Sequence, residues 1–182
     1  MYKEIIKPTL VLIIISVLVG TLLAVTYNVA GIADLATAGL SQADLEELKP
    51  SVMPAASSLK NAKVSVEDGS LLGVYADEGG SGTAIHIVTK GYGGDLKILV
   101  GVDTNGAVTG AAVTESAETP NLGSKVGEPA FIEQFVGKSG ALAVDKDGGE
   151  IAAVAGATIS SRAFTDGINK ALEIYEQVKG EL

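Results

Sequence analysis

The chain has 182 residues, of which 47% are hydrophobic, and a formal net charge of −9. This length and apolar content predict one ordinary domain with a real core and argue against a disordered chain. The sequence has no cysteine, which excludes disulfides, iron–sulfur ligation and a thiol nucleophile, so any redox chemistry requires a bound cofactor. The positive charges form no cluster, which speaks against nucleic acid as a partner.

An uncharged segment near the amino terminus predicts a membrane anchor. Residues 8–33 form 26 consecutive uncharged positions, and about 20 apolar residues in a helix suffice to cross a bilayer. A cleaved signal peptide is the alternative, with a shorter apolar stretch of about 7–15 residues, and small residues near Ala33 and Ala36 leave cleavage open. We expect residues 1–33 to form a cytoplasmic tip and an uncleaved transmembrane helix.

The charges that flank this segment predict its orientation. Lys3 and Lys7 precede it, whereas acidic residues follow from Asp34 onward. Because positively charged flanks stay in the cytoplasm, the amino terminus is expected there, with the rest of the chain on the extracytoplasmic side. Tyr27, near the outer boundary, gives weak support. The predicted location is therefore the cell (inner) membrane, with a single pass.

After the anchor, the sequence predicts a stalk followed by an antiparallel sheet. Ser41 is placed to cap a short helix over residues 41–48, which Pro50 and Pro54 are expected to end, and residues 34–62 are interpreted as the stalk. Short stretches rich in β-branched residues then alternate with glycine-rich turns and predict a meander. These stretches are residues 63–68, 71–77, 83–90, 95–103 and 107–116.

A hairpin and two helices complete the predicted domain, residues 63–182. The Asp-Thr-Asn-Gly sequence at 103–106 predicts a hairpin turn, because Asn-Gly accepts positive φ at both central positions. Residues 128–137 predict a short amphipathic helix that ends at Gly137. A final helix from about Ser160 is indicated by apolar residues at helical spacing: Phe164, Ile168, Ala171, Leu172, Tyr175 and Val178. The expected class is α+β, with the helices packed on the sheet.

The titratable residues do not suggest acid–base or metal catalysis. His86 is the single histidine and falls in a strand-like run, where a half-buried structural position is favoured over a catalytic role. Glu115 and Glu118 are expected to be solvated loop carboxylates without a catalytic role. No catalytic residue and no metal ligand is therefore assigned.

The stretch AVAGATISSR, residues 153–162, is the strongest candidate site. A helix amino terminus attracts anions, and Gly156 with its alanine neighbours leaves room for a phosphate to approach the backbone. Arg162 would oppose the helix dipole by about 0.3–1 kcal/mol, and a bound anion would remove this conflict. The alternative, favoured by these physical arguments alone, is that Thr158 or Ser160 is an ordinary N-cap and Ala-Gly-Ala packs closely on a strand.

Two motifs in this sequence resemble those of the membrane-anchored FMN-binding domain family. The stretch AGATISS is similar to the flavin attachment motif of that family, roughly Asp-x-x-Ser/Thr-Gly-Ala-Thr, whose last threonine carries FMN through a phosphoester bond; Thr158 is the matching residue. Residues 90–139 are similar to the body of the G-type subunit of Rnf electron transport complexes, with its Gly-Tyr-Gly-Gly and Glu-Thr-Pro-Gly-Leu-Gly patterns. The resemblance covers residues 1–182.

The chain departs from the family pattern at three positions. Ala152 and Ala155 stand where the attachment motif has aspartate and serine or threonine, which puts the efficiency of loading in question. Asn121 replaces a glycine in the second pattern. This change is mild, because asparagine tolerates the left-handed backbone conformation best among non-glycine residues.

The resemblance implies an electron-carrying flavoprotein subunit of an ion-translocating ferredoxin:NAD oxidoreductase, a translocase, and not a stand-alone catalyst. It implies FMN covalently bound to Thr158, a flavin transferase that uses FAD and a divalent metal during maturation, and the other membrane, iron–sulfur and flavin subunits as partners. The implied phosphate contacts are Gly156, Ala157, Ser160, Ser161 and Arg162. The implied ring contacts are Glu118, Thr119, Pro120, Asn121, Leu122, Gly123 and Lys125.

Two alternatives stay open from the sequence. One is a component similar to the C-type subunit of the sodium-translocating NADH:quinone reductase, which is disfavoured because that subunit is usually longer. The other is an anchored extracellular binding module without a redox role. The colour of the purified protein separates this module from both flavoproteins.

Overall fold

The computed structural model describes the backbone of residues 2–29, 39–66 and 68–181, and the side chains of these residues except 2–8 and 23–29. The chain divides into two compact units, Met1–Ala38 and Gly39–Leu182. The first contains helix α1, Tyr2–Val29. Among the residues whose side chains the structure describes, which in α1 are residues 9–22, no helix is both long and apolar enough to cross a membrane.

The predicted anchor and its orientation remain predictions. They rest partly on residues outside those whose side chains the structure describes. These residues are Lys3, Lys7, Tyr27, Ala33, Asp34 and Ala36.

The second unit is built on a five-stranded antiparallel sheet. Its strands are β1 (Leu59–Asn61), β2 (Leu71–Asp77), β3 (Gly82–Lys90), β4 (Asp95–Asp103) and β5 (Val108–Ser116). Each strand pairs with the one before it, in the order β1-β2-β3-β4-β5. The predicted meander and the α+β class are confirmed for this unit.

The prediction of a first strand at residues 63–68 is wrong. The edge strand is β1, in which Leu59 lies opposite Asp77 of β2. Val64 and Val66, whose spacing suggested a strand, are partly buried against the core, but the described residues around them form no strand. Their alternation reflects apolar contact without pairing to a neighbouring strand.

The hairpin between β4 and β5 is confirmed, but its turn differs from the expected one. Gly106 has a φ of 81°, whereas Asn105 does not have a positive φ. The carboxylate of Asp103 accepts hydrogen bonds from the N–H groups of Ala107 (2.9 Å) and Asn105 (2.8 Å). These donors lower the pKa of Asp103. The aspartate therefore organises a turn that needs only one left-handed residue.

Helix α2, Gln42–Val52, covers one face of the sheet and begins at a capping box. Ser41 Oγ accepts the N–H of Asp44 (3.2 Å), and Asp44 Oδ2 accepts the N–H of Ser41 (3.1 Å). The expected end at Pro50 is wrong, because Pro50 lies inside the helix. The last turn persists past the proline, with Met53 N–H donating to Lys49 O (2.7 Å).

Two paired glycines explain how closely the end of α2 approaches the sheet. Gly101 of β4 lies opposite Gly110 of β5. A Cβ at either position would overlap the carbonyl oxygen of Val52 or Ser51. Thr109 Oγ1 also donates to Val52 O (2.7 Å). The backbone at the end of α2 is therefore seated directly on the sheet.

Residues 39–62 are part of the domain, although the sequence suggested a separate stalk over 34–62. Leu45 and Val52 of α2 and Leu59 of β1 are buried in one cluster with residues of the sheet. The described part of this segment thus belongs to the compact unit Gly39–Leu182. The rest of the predicted stalk, residues 34–38, lies outside the described residues.

The other face of the sheet carries the main core and the final helix, α4, Thr158–Val178. All six apolar positions that predicted this helix are buried, although it begins two residues before Ser160. The predicted helix at 128–137 is a short α3, Pro129–Ile132, followed by a 3₁₀ turn, and the chain turns at Gly137 (φ 77°). The rings of Phe131, Phe135 and Phe164 lie 5.4–5.5 Å apart in this core.

Candidate functional site

A cleft of about 360 Å³ lies where three separate segments of the domain meet. These segments are the turn between β3 and β4, the loop after β5, and the head of α4. The residues that line the cleft are Tyr92, Glu118, Thr119, Leu122, Gly123, Gly156, Ala157, Thr158, Ile159 and Ser160. The structure therefore brings together eight of the thirteen residues predicted for the site.

The Gly-Tyr-Gly-Gly turn between β3 and β4 forms one wall of the cleft. A Cβ at Gly91 would overlap Glu118 Oε1, and one at Gly93 would overlap the carbonyl oxygen of Ala117. Gly94 has a φ of 147°. These positions need glycine because the loop after β5 lies directly against the turn. Tyr92, which is 70% exposed, thereby faces the cleft.

Glu118 lies at the centre of the site and is buried, so the expectation of a solvated carboxylate is wrong for this residue. It is only 6% exposed. Its Oε1 accepts the backbone N–H of Tyr92 (2.7 Å), and its Oε2 accepts the hydroxyl of Ser160 (2.8 Å). Glu115, by contrast, is exposed and pairs with Lys97 (2.6 Å).

The rest of the loop after β5 divides into residues that line the cleft and residues that do not. Thr119, Leu122 and Gly123 line the cleft, whereas the predicted ring contacts Pro120, Asn121 and Lys125 do not. Asn121 has a φ of 59°, the left-handed conformation for which asparagine is the best substitute for glycine. Its N–H donates to Ser124 Oγ (2.9 Å).

The head of α4 has no side-chain cap. The N-cap residue is Ala157, which has no polar side chain, so the interpretation of Thr158 or Ser160 as an ordinary N-cap is wrong. Gly156 just before it has a φ of 78°. Among the described residues, no side chain therefore accepts from the first N–H groups of this helix, at the mouth of the cleft.

The three hydroxyl groups at this helix start differ in availability. Ser160 is 2% exposed and donates to Glu118. Ser161 is fully buried, donates to Ala157 O (3.0 Å) and accepts the N–H of Val154 (3.0 Å). Thr158 is half-buried and lines the cleft, and its hydroxyl makes no hydrogen bond with the described residues.

Arg162 does not contribute to the cleft. Its guanidinium binds the carboxylate of Asp147 through two hydrogen bonds, at 2.7 Å from Nε and 2.6 Å from Nη2. This pair raises the pKa of Arg162 and lowers that of Asp147. The conflict with the helix dipole that was expected to require a bound anion is thus relieved by an aspartate of the same chain.

The surface of the cleft is apolar, with one charge. Of the large apolar side chains exposed in the described part of the domain, Tyr92 (70%), Leu122 (41%) and Ile159 (51%) line the cleft, and Val136 lies elsewhere. Tyr92 and Ile159 were not predicted as site residues, although both lie inside motifs that the sequence singled out. Among the described residues that line the cleft, Glu118 carries the only charge.

The fold and the cleft agree with the result of comparison with known proteins. The model of the FMN-binding domain family matches residues 91–173, which span the cleft-forming segments, and this defines the class of the domain. The chain is 30% identical to the G-type subunit of the Na⁺-translocating ferredoxin:NAD⁺ oxidoreductase complex of Acetobacterium woodii, over 97% of this chain and 94% of that protein. The chain belongs to the family of G-type subunits of ion-translocating oxidoreductase complexes.

Two further relatives and one solved structure are also similar to this chain. The corresponding subunit of the ion-translocating oxidoreductase complex of Methanosarcina acetivorans is 29% identical over 98% of both chains. That of Aliivibrio fischeri MJ11 is 39% identical over 56% of this chain and 53% of the relative, so this match spans about half of each protein. The crystal structure of Shewanella oneidensis NqrC has the same fold, with a TM-score of 0.51 and 20% identity over 70% of this chain and 73% of that one.

Proposed function

We propose that the protein carries electrons through FMN as a subunit of a membrane-bound, ion-translocating ferredoxin:NAD oxidoreductase complex. Its family membership and its FMN-binding domain support this function. The observation that carries the proposal is the cleft at the head of α4, where an available threonine hydroxyl and an apolar surface meet. FMN supplies the redox chemistry when bound, and the protein holds and orients it.

Thr158 is the proposed point of covalent attachment. Of the hydroxyl groups of Thr158, Ser160 and Ser161, only that of Thr158 lines the cleft without a hydrogen bond to the described residues. A phosphodiester at this position would lie beside the first N–H groups of α4, which carry partial positive charge. Gly156 leaves the backbone accessible to such a group.

The flavin ring is proposed to lie against the apolar wall of the cleft. Tyr92, Leu122 and Ile159 expose apolar surface there, and an exposed apolar cluster of this kind is typical of a binding site. A flat aromatic ring would cover these side chains and remove them from water. Asn121 then acts by shaping the loop, through its left-handed backbone and its N–H bond to Ser124, and Arg162 acts by its pairing with Asp147. No contact with the ring is proposed for Pro120 and Lys125, which do not line the cleft.

Covalent loading is the direct test of this function. Co-expression of the full chain with a flavin transferase is expected to give a fluorescent band in a denaturing gel and a mass increase of one FMN less one water. Expression without the transferase is the control and is expected to give neither signal. A colourless protein after co-expression, with no flavin bound in any form, would contradict the proposal and favour a binding module without a redox role.

The first unit is proposed to anchor the protein in the membrane, with the FMN domain outside the cytoplasm. Helix α1 has 28 residues and would be about 42 Å long, more than the roughly 30 Å of a bilayer core. The large apolar side chains from Leu10 to Leu22 are 49–69% exposed. The lysines before this helix and the acidic residues after it favour a cytoplasmic amino terminus.

Protease added to intact cells stripped of their outer wall is expected to cleave the FMN domain. The reason is the proposed orientation, which leaves this domain on the outer side of the membrane. A cytoplasmic marker protein should stay intact in the same sample, and the mass of the mature chain should include residues 2–33. Cleavage of the domain only after the cells are lysed would refute the orientation.

The proposed partners are the other subunits of the complex and, during maturation, a flavin transferase. The need for a transferase follows from the covalent bond. The need for other subunits follows from the proposed role, because an electron carrier requires a donor and an acceptor.

A further inference from the structure

The cleft lacks the cations by which proteins usually bind a free phosphate group. Among its described lining residues there is no lysine or arginine, because Arg162 is bound to Asp147 and Lys125 lies outside the lining. The phosphate group of free FMN carries about −1.5 to −2 charges at neutral pH, and arginine or lysine normally pairs with such groups. The helix amino terminus of α4 offers only about half a positive charge.

The same helix amino terminus already has a carboxylate beside it. Glu118 accepts the hydroxyl of Ser160, which lies in the first turn of α4. A negative charge at this position interacts favourably with the helix dipole. It thereby weakens the attraction between this helix end and a phosphate group. The described contacts of Glu118 include no salt bridge to a lysine or arginine.

Glu118 also holds the walls of the cleft together. Its two carboxylate oxygens connect the turn between β3 and β4 to the head of α4 through Tyr92 N–H and Ser160 Oγ. Gly91 and Gly123 lie so close to these oxygens that a Cβ at either position would overlap them. The carboxylate is therefore fixed in place beside the cleft, and its charge acts on whatever the cleft holds.

We infer that Glu118 makes the cleft discriminate against negative charge on the flavin, so that the covalent bond takes the place of a cationic phosphate site. This inference rests on the proposed function. Attachment transfers the FMN moiety of FAD to the Thr158 hydroxyl: a P–O bond to the threonine oxygen forms, the pyrophosphate bond of FAD breaks, and AMP leaves with the hydroxyl proton lost to solvent. The resulting phosphodiester carries one negative charge, less than the phosphate group of free FMN, which lowers the repulsion. Reduction of the ring adds negative charge, so the same carboxylate lowers the reduction potential of the bound flavin. Glu118 acts as a positioning residue with an electrostatic effect.

The test compares two free flavins that differ only in the phosphate group. Full-length protein in detergent, produced without a flavin transferase, is titrated with FMN and with riboflavin, and binding is followed by quenching of flavin fluorescence. The wild type is expected to bind riboflavin about tenfold more tightly than FMN, from the interaction of one fixed charge with the phosphate. Tighter binding of FMN than of riboflavin would overturn the inference without any variant.

Glu118→Gln removes the charge and can keep both hydrogen bonds, with its amide oxygen facing Tyr92 N–H and its amide nitrogen donating to Ser160 Oγ. This variant is expected to bring the riboflavin-to-FMN ratio of affinities close to one. Glu47→Gln makes the same charge change on the exposed surface of α2, on the opposite face of the sheet, and should leave the ratio as in the wild type. An unchanged ratio in Glu118→Gln would refute the role of its charge.

The covalently loaded protein gives a second readout that a purely structural role would not move. In Glu118→Gln the equilibrium constant for reduction of the bound flavin is expected to rise about tenfold. This corresponds to a rise of about 30 mV in the reduction potential of a two-electron couple. If neither free flavin binds, this potential decides the inference, and an unchanged potential overturns it. Failure of the proposed function can be distinguished from failure of this inference, because in the first case the wild type would carry no flavin even after co-expression with the transferase.

Discussion

Replacing Thr158 with alanine is expected to abolish the covalent flavin while leaving the domain folded. The hydroxyl of Thr158 makes no hydrogen bond with the described residues and does not cap α4, so its loss should cost little stability. Alanine also has the higher helix propensity. After co-expression with a flavin transferase, the variant should show no fluorescent band in a denaturing gel and no added FMN mass. Its circular dichroism should match the wild type, and electron flow through the complex should stop.

Three further variants serve as controls for this result. Thr158→Ser keeps a hydroxyl group at the mouth of the cleft and should retain covalent flavin. Ser160→Ala and Ser161→Ala should also retain it, because those hydroxyls are buried and already bonded. Ser161→Ala should lower the free energy of unfolding by about 1 kcal/mol, since Val154 N–H loses its acceptor. Fluorescence that persists in Thr158→Ala, or peptide mapping of FMN to Ser160, would rule out the assignment.

Acidification from pH 6.5 to pH 4 is expected to lower the free energy of unfolding by up to about 3 kcal/mol through His86 alone. This side chain is 5% exposed, Nε2 lies 2.9 Å from Thr114 Oγ1, and Nδ1 has no partner among the described residues. Burial, together with the nearby charge of Lys97, lowers its pKa to about 4, and Glu115 opposes this only in part.

The direction of this change follows from the number of protons that His86 binds in the folded and in the unfolded chain. Between pH 6.5 and pH 4 the unfolded chain binds a proton at His86 and the folded chain does not, so acid favours unfolding in this range. Above pH 6.5 both states are neutral at this residue and its effect is absent. Urea denaturation followed by circular dichroism at several pH values measures the slope.

His86→Gln is the matched variant, because glutamine can still bond Thr114 but does not titrate. Its free energy of unfolding should be nearly constant between pH 6.5 and pH 5. Below about pH 4 the wild type and the variant should both lose stability as carboxylates protonate. Two such carboxylates are Asp77 and Asp68. Asp77 accepts five hydrogen bonds from Ser57, Ser58 and Ser81, and its pKa is strongly lowered. The pKa of Asp68 is lowered to about 2, chiefly by its hydrogen bond from Ser70. Parallel curves for the two proteins above pH 5 would contradict the prediction.

Local patterns were sufficient to predict most of the fold. The meander follows from β-branched runs between glycine turns, and α4 follows from its apolar spacing, because both signals act over a few residues. The errors arose where a distant contact decides the outcome. Pro50 stays inside α2 because the helix end is seated on Gly101 and Gly110, far along the chain. Val64 and Val66 alternate as in a strand but only contact the core.

The same limit applies to the site. Thr158 and Gly156 line the cleft as the sequence suggested, because their motif is contiguous and the small size of Gly156 is visible in the sequence. The burial of Glu118 could not, because it depends on Tyr92 and Ser160, which meet it only in the folded chain. The pairing of Arg162 with Asp147 is also a contact between separate segments. Sequence patterns thus indicated which segments line the cleft, but not the charge pairing around them.

The origin of the cleft from three distant segments has a consequence for the assembly of the protein. Tyr92, Glu118 and Thr158 are brought to one place only when the sheet and α4 have packed together. The surface proposed for the flavin ring therefore does not exist on a nascent or partly folded chain, and under this proposal folding must come before the ring can dock. A destabilised variant would then accumulate without cofactor even when every residue of the cleft is intact. The yield of flavin per chain would in that case report the folding history of the protein as well as the chemistry at its threonine.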